Sequence, residues 1–224
     1  KDSVQNILSF RFANEIFDPI WNKDHISSVD IIAHETLGVE TRGAFYDQIG
    51  AFRDFGQNHL LQLLALLTMD EPAQLTSQNI RENRTRLLNK LATPNKKDIQ
   101  KNTFRAQYQG YRKIEGVAKN SNTETYFRIK TFIKNRRWQG VPFYLESGKR
   151  MKEVKKEIIV DFKGPNRIIF RLEPDGEIFI DVKTKKPGIL FENEDNIISL
   201  KLKEEASQQY VAAYMQLFHD FLMN

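Results

Sequence analysis

An α+β fold, a large mainly antiparallel sheet with helices packed on one face, is predicted by three features of this 224-residue chain. First, Ile158, Val160 and Phe162, then Ile168, Phe170 and Leu172, then Ile178, Ile180 and Val182 alternate with more polar neighbours. The turn sequences Gly164-Pro165-Asn166 and Pro174-Asp175-Gly176 separate these runs, so they read as an antiparallel meander with one buried face. Second, Leu60 to Leu67 is apolar nearly all the way round a helix, which marks a helix enclosed by the fold. Third, helical and strand patterns are grouped along the chain rather than alternating, which favours α+β over a doubly wound sheet.

Taken in order, the apolar spacing of Val4, Ile7, Leu8, Phe10, Phe12 and Ile16 predicts a first helix to about Phe17, ending before Pro19. Ile26 to His34 is strand-like and Thr36 to Arg42 is a loop. A short helix over Gly43 to Ile49 leads into the central helix, which runs to Met69. Ser77 to Leu91 is a polar amphipathic helix, and Thr93 to Lys101 reads as a loop. Short strands are expected at Phe104 to Tyr108, Thr125 to Lys134 and Val141 to Leu145. Gly116 to Glu124, rich in Asn, Ser and Thr, reads as a mobile surface loop. Beyond the meander, Asn196 to Lys203 offers another strand and Glu205 onward a last helix.

The composition excludes several classes. With no cysteine there are no disulfides or thiolate metal sites, which fits a reducing compartment. The longest apolar run is far too short to span a bilayer, so no membrane association is expected. A net charge of +5 suits an anionic small molecule as well as nucleic acid. No basic stripe interleaved with exposed aromatics is visible, so nucleic acid is not expected as a partner. GxSxG, Walker A, GxGxxG and HExxH motifs are absent. The four histidines show no ligand spacing, so no metal site is expected.

Arg53, Asp54, Gln57, Asn58 and His59 stand just before the enclosed helix, and polar groups there need partners in the protein or in a ligand. His59 is the candidate general base, because imidazole titrates near neutrality. On composition alone the favoured reading is a core histidine satisfied by a backbone carbonyl. Asp54 lies five residues earlier, about 140° round an ideal α-helix, so spacing alone does not couple the two unless the helix is distorted at Gly56. Glu35 suits sugar hydroxyls and Lys149 suits a phosphate, although each is also an ordinary surface charge.

A set of runs in order along the chain carries a resemblance. They are Arg11-Phe12-Ala13-Asn14, Pro19-Ile20-Trp21-Asn22, Glu35 with Gly38 and Arg42-Gly43, Arg53-Asp54, and Gln57 to Gln62. Gln107-Tyr108, Thr123-Glu124-Thr125, Arg137 to Phe143, Gly148-Lys149 and Lys185 to Gly188 follow. Together they resemble the C-terminal α+β domain of glucose-6-phosphate dehydrogenases, over residues 1–224 as one domain. The resemblance implies oxidation of glucose 6-phosphate at C1 to the lactone in the pentose phosphate pathway, with NADP, or in some members NAD, as coenzyme. It implies His59 as catalytic base, with Lys1, Glu35, Asp54 and Lys149 binding substrate. Many members carry a second basic residue five positions after the lysine of Gly148-Lys149; here that position is Val154, followed by Lys155.

The resemblance further implies that NADP is bound by a preceding nucleotide-binding domain, that no coenzyme-binding residue lies in residues 1–224, and that this stretch alone is inactive. It implies a cytoplasmic homodimer formed through the sheet. The competing reading is a non-catalytic sugar-phosphate or anion-binding module on the same fold.

Overall fold

The computed structural model describes residues 2–173 and 175–202. Lys1 and the expected last helix from Glu205 lie outside the described residues. The helices are α1 (Asp2–Phe12), α2 (Gly43–Ala51), a π-helix (Phe52–Leu60), α3 (Leu61–Thr68), α4 (Ser77–Leu88) and α5 (Lys96–Asn102). The strands are β1 (Ile26–His34), β2 (Thr103–Ala106), β3 (Tyr126–Thr131), β4 (Phe143–Gly148), β5 (Lys155–Phe162), β6 (Arg167–Glu173), β7 (Glu177–Lys185) and β8 (Asn193–Lys201).

They form one eight-stranded sheet in the order β2-β3-β4-β1-β5-β6-β7-β8. Every pairing is antiparallel except β1 with β4; β5 to β7 are the expected meander, and β8 continues it by pairing antiparallel with β7. Val29, Ile31 and Ala33 of β1 pair with Val160, Ile158 and Lys156 of β5, and Ile168 and Phe170 of β6 continue the same face. That face is the core: Val29, Ile31, Ile158 and Val160 have no exposed surface, and Phe10 of α1 meets Phe170 edge-on with ring centroids 5.0 Å apart.

The enclosed helix α3 presents a problem that distant side chains solve. Its last carbonyls have no partners within the helix and lie away from water. Arg11 donates to the Leu66 and Met69 carbonyls, both at 2.7 Å. Trp21 Nε1 donates to Leu67 and Trp138 Nε1 to Thr68, each at 2.8 Å. Burial pulls the Arg11 guanidinium down to about 9, so it stays charged at neutral pH and its bonds to the carbonyls are charge-assisted. These caps fix α3, and with it the π-helix that runs into it.

Several expectations are corrected. The first helix ends at Phe12 rather than near Phe17. Residues 93–101 are not all loop: Asn95 and Asp98 form a reciprocal capping box that starts α5. The stretch 116–124 is pinned rather than mobile. Asp47 accepts from Tyr111 Oη at 2.8 Å, from the Ala118 N–H at 3.1 Å and from Ser121 Oγ, while the Asp47 carbonyl takes the Thr123 hydroxyl at 2.5 Å.

Candidate functional site

The site is built where the only parallel strand pair among the described residues ends. β1 and β4 finish side by side at His34 and Gly148, and backbone bonds lace the chain onward. The Glu35 N–H donates to the Gly148 carbonyl at 2.9 Å, the Arg150 N–H to Leu37 at 3.1 Å, and the Met151 N–H to Glu35 at 2.9 Å. This lacing delivers Glu35 and Lys149 from two strands to one place. Lys149 Nζ donates to Glu35 Oε2 at 2.7 Å, with Lys149 only 7% exposed.

Beneath that pair lies Tyr46 of α2. The Lys149 ammonium stands 5.5 Å from its ring centroid, a cation–π contact. Tyr46 is buried, and its hydroxyl has no hydrogen-bond partner among the described residues. Burial first, then the carboxylates of Asp54, Glu124 and Glu35, pushes its pKa far above that of an ordinary phenol. Tyr46 therefore stays neutral, with its buried hydroxyl set among carboxylates. Sequence reasoning missed it; its signal was a tyrosine seven residues before a polar cluster, which alone reads as core.

The π-helix lies over β4 and β1. It starts where Gly50 takes φ 76°, and a side chain there would meet Glu124 Oε1 at 2.7 Å. Glu124 closes the helix start by accepting the Phe52 N–H at 3.1 Å. Gly56 brings the backbone against Phe127 of β3, where a Cβ would lie 2.9 Å from the ring. The i→i+5 pattern, seen where the Leu61 N–H meets the Gly56 carbonyl, stacks residues five apart. Asp54 and His59 therefore share one side of the helix, which the α-helical spacing denied them. His59 is exposed, with its ring centroid 4.5 Å from that of Phe55. Asp54 is half-buried, and neither side chain hydrogen-bonds to another described residue.

Of the expected residues, Glu35 and Lys149 are in direct contact. Asp54 and His59 stand five residues apart on the π-helix, and neither contacts that pair directly. Lys1 lies outside the described residues. Val154 is 45% exposed, and Lys155 lies on the opposite face of the sheet, opposite His34 and 3.4 Å from Glu157, so neither joins the site. Among the described residues no three His, Cys, Asp or Glu side chains are grouped to hold a metal, and no helix is long and apolar enough to cross a membrane.

The opposite face carries a second cluster. His34 Nε2 lies 2.8 Å from Glu146 Oε1, and Arg128 bridges Glu146 at 3.5 Å and Asp30 at 3.0 Å. Desolvation raises the Glu146 carboxyl, but the bonds from His34 and Tyr126 and the Arg128 charge hold it below the usual carboxylate range. Beside this cluster runs a half-buried apolar row, Ile159, Ile169 and Phe179, paired across β5, β6 and β7.

Comparison with known proteins gives these arrangements a lineage. The glucose-6-phosphate 1-dehydrogenase of Borreliella burgdorferi is 37% identical across 98% of this chain and 51% of its own length. A cytoplasmic glucose-6-phosphate 1-dehydrogenase of Arabidopsis thaliana is 34% identical across 98% of this chain and 44% of its own. A solved glucose-6-phosphate dehydrogenase in complex with glucose 6-phosphate superposes with a TM-score of 0.83 at 32% identity, covering 94% of this chain and 46% of that one. The chain thus spans about half the length of the curated relatives it matches. Residues 8–224 match the family described as glucose-6-phosphate dehydrogenase, C-terminal domain, and the chain belongs to that family.

Proposed function

We propose that residues 1–224 form the substrate-binding and catalytic-base domain of an NADP-dependent glucose-6-phosphate 1-dehydrogenase. The observation that carries this is the meeting of Glu35 and Lys149 beside the π-helix that presents Asp54 and His59. Glu35 and Asp54 accept hydrogen bonds from sugar hydroxyls, and Lys149 and Lys1 bring positive charge to the substrate. His59 accepts the C1 hydroxyl proton. As that O–H bond breaks and the carbonyl forms at C1, the C1 hydrogen departs as hydride. Tyr46 supports Lys149 from below through its ring.

NADP supplies the hydride acceptor in this reading, and the described residues do not fit it. At the glycine-containing crossover from β1 to α2, the helix start is covered, because a Cβ at Gly43 would lie 2.1 Å from the Glu115 carbonyl oxygen. No pyrophosphate can approach it. The part played by this chain is to bind, orient and take a proton, and alone it is expected to bind the sugar phosphate without turnover. The apolar row Ile159, Ile169 and Phe179, flanked by ion pairs, supports a homodimer through the outer sheet face. The cytoplasmic location of the Arabidopsis relative supports the same setting here.

The test is His59→Asn in the whole enzyme. A lost general base lowers kcat by about 10²- to 10⁴-fold while KM for glucose 6-phosphate changes little. Unchanged turnover would mean a binding module without base catalysis.

A further inference from the structure

We infer that Lys156 is a second cation for the phosphoryl end of the substrate, opposite Lys149 across the end of β1; this rests on the function proposed above. The basic run after Gly148 offers Lys149, Arg150, Lys152, Lys155 and Lys156, and the sheet register sorts them. Lys155 stands opposite His34 and projects to the outer face, where its ammonium lies 3.4 Å from Glu157. Lys156 stands opposite Ala33, which is 2% exposed and faces the helices. Side chains opposite each other in an antiparallel pair share a face, so Lys156 points to the side that carries His59.

Its ammonium lies 6.0 Å from the centroid of the Phe55 ring, and the other neighbour of that ring is the His59 imidazole at 4.5 Å. The two cations are set alike. Lys149 lies against Tyr46 and pairs with Glu35, while Lys156 lies against Phe55 and pairs with Glu173 at 2.5 Å. β1 runs between the strands that bear them. A phosphate monoester near neutrality carries close to two negative charges, and of the lysines assigned to it Lys149 is already shared with Glu35. Lys156, half-buried and held at Glu173 rather than sealed in the core, can turn its ammonium from that carboxylate to a phosphate oxygen. Phe55 sits as a spacer between the proton acceptor and this cation, matching a substrate whose reacting carbon and phosphate are at opposite ends of one sugar ring.

The experiment compares Lys156→Gln, Lys156→Arg, Glu173→Gln and Lys155→Gln in the whole enzyme, each checked by thermal melting. Lys156→Gln is expected to raise KM for glucose 6-phosphate about 10- to 100-fold, the worth of one charge-assisted hydrogen bond, with kcat within about threefold. It should weaken competitive inhibition by inorganic phosphate in proportion and leave turnover of unphosphorylated glucose unchanged. Lys156→Arg should restore most of the affinity. Glu173→Gln should leave KM equal or lower, and Lys155→Gln should leave it unchanged. Unaltered KM and phosphate inhibition in Lys156→Gln, or an equal rise in Glu173→Gln, would overturn the inference and reduce the pair to a strand fastener. If His59→Asn abolishes turnover while Lys156→Gln leaves KM alone, this inference fails and the proposed function stands.

Discussion

Asp47 and Lys149 work in opposite ways at the scale of single residues. The Lys149 side chain is nearly enclosed, and its contacts with Glu35 and the Tyr46 ring hold it in one orientation. The Asp47 carboxylate instead gathers two hydroxyls and one backbone N–H from residues 111–121. Partial burial raises its pKa, but the hydrogen bonds from Ser121, the Ala118 N–H, Tyr111 and Thr123 outweigh that and hold it below the usual range. A depressed carboxyl stabilises the fold above its unfolded pKa, and that stabilisation is lost as pH falls through the folded value. Hydrogen exchange of the 116–124 amides should therefore quicken below about pH 4. Asp47→Ala should quicken it at neutral pH as well, at a cost of about 2 kcal/mol by denaturant unfolding; unchanged exchange would show the loop to be held otherwise. None of this was legible in the sequence, because the partners of Asp47 lie 64 to 76 positions away. Glu35 and Lys149 were legible as a hydroxyl acceptor and a phosphate partner, but only the matching runs set them apart from ordinary surface charges.

The π-helix is the element on which the site depends. Asp54 and His59 fall on one side of it because its bonds span five residues rather than four, and Gly50 and Gly56 make that geometry possible. A Cβ at Gly56 would lie 2.7 Å from the Phe52 ring and 2.9 Å from Phe127. Gly56→Ala should accordingly cost about 1–3 kcal/mol in stability by overpacking. The shift it forces on His59 should also lower kcat by about 10²-fold, as a misplacement near 1 Å does. Full activity in that variant would separate the π-helix from the chemistry. The sequence flagged Gly56 as a point of distortion but could not give its form, since an i→i+5 turn leaves no apolar period of its own. The meander strands were read almost residue for residue, because a period of two with turn residues at each end admits few alternatives. α5 was missed although its Asn95 and Asp98 capping pair stands in plain view, the segment being too short and too polar to show periodicity.

At the scale of the molecule, one sheet serves two purposes. Its inner face carries the core and, at the carboxyl ends of β1 and β4, the site; its outer face carries Ile159, Ile169 and Phe179 beside the His34, Glu146, Arg128 and Asp30 cluster. The alternation of the strands predicted that two faces exist, and the parallel pairing of β1 with β4, which decides where the site lies, was invisible because it joins strands over 100 residues apart. If the outer face pairs subunits, Ile169→Arg in the whole enzyme should yield monomers by sedimentation, while an unchanged dimer would move the interface elsewhere. The central claim is that a hexose phosphate lies at the ends of β1 and β4 beneath the π-helix. A crystal structure of the whole enzyme with glucose 6-phosphate tests it most directly: the C1 hydroxyl oxygen should stand about 3 Å from a ring nitrogen of His59, with hydroxyls on Glu35 and Asp54. A ligand bound away from His59, or bound with the ring turned from C1, would contradict the account.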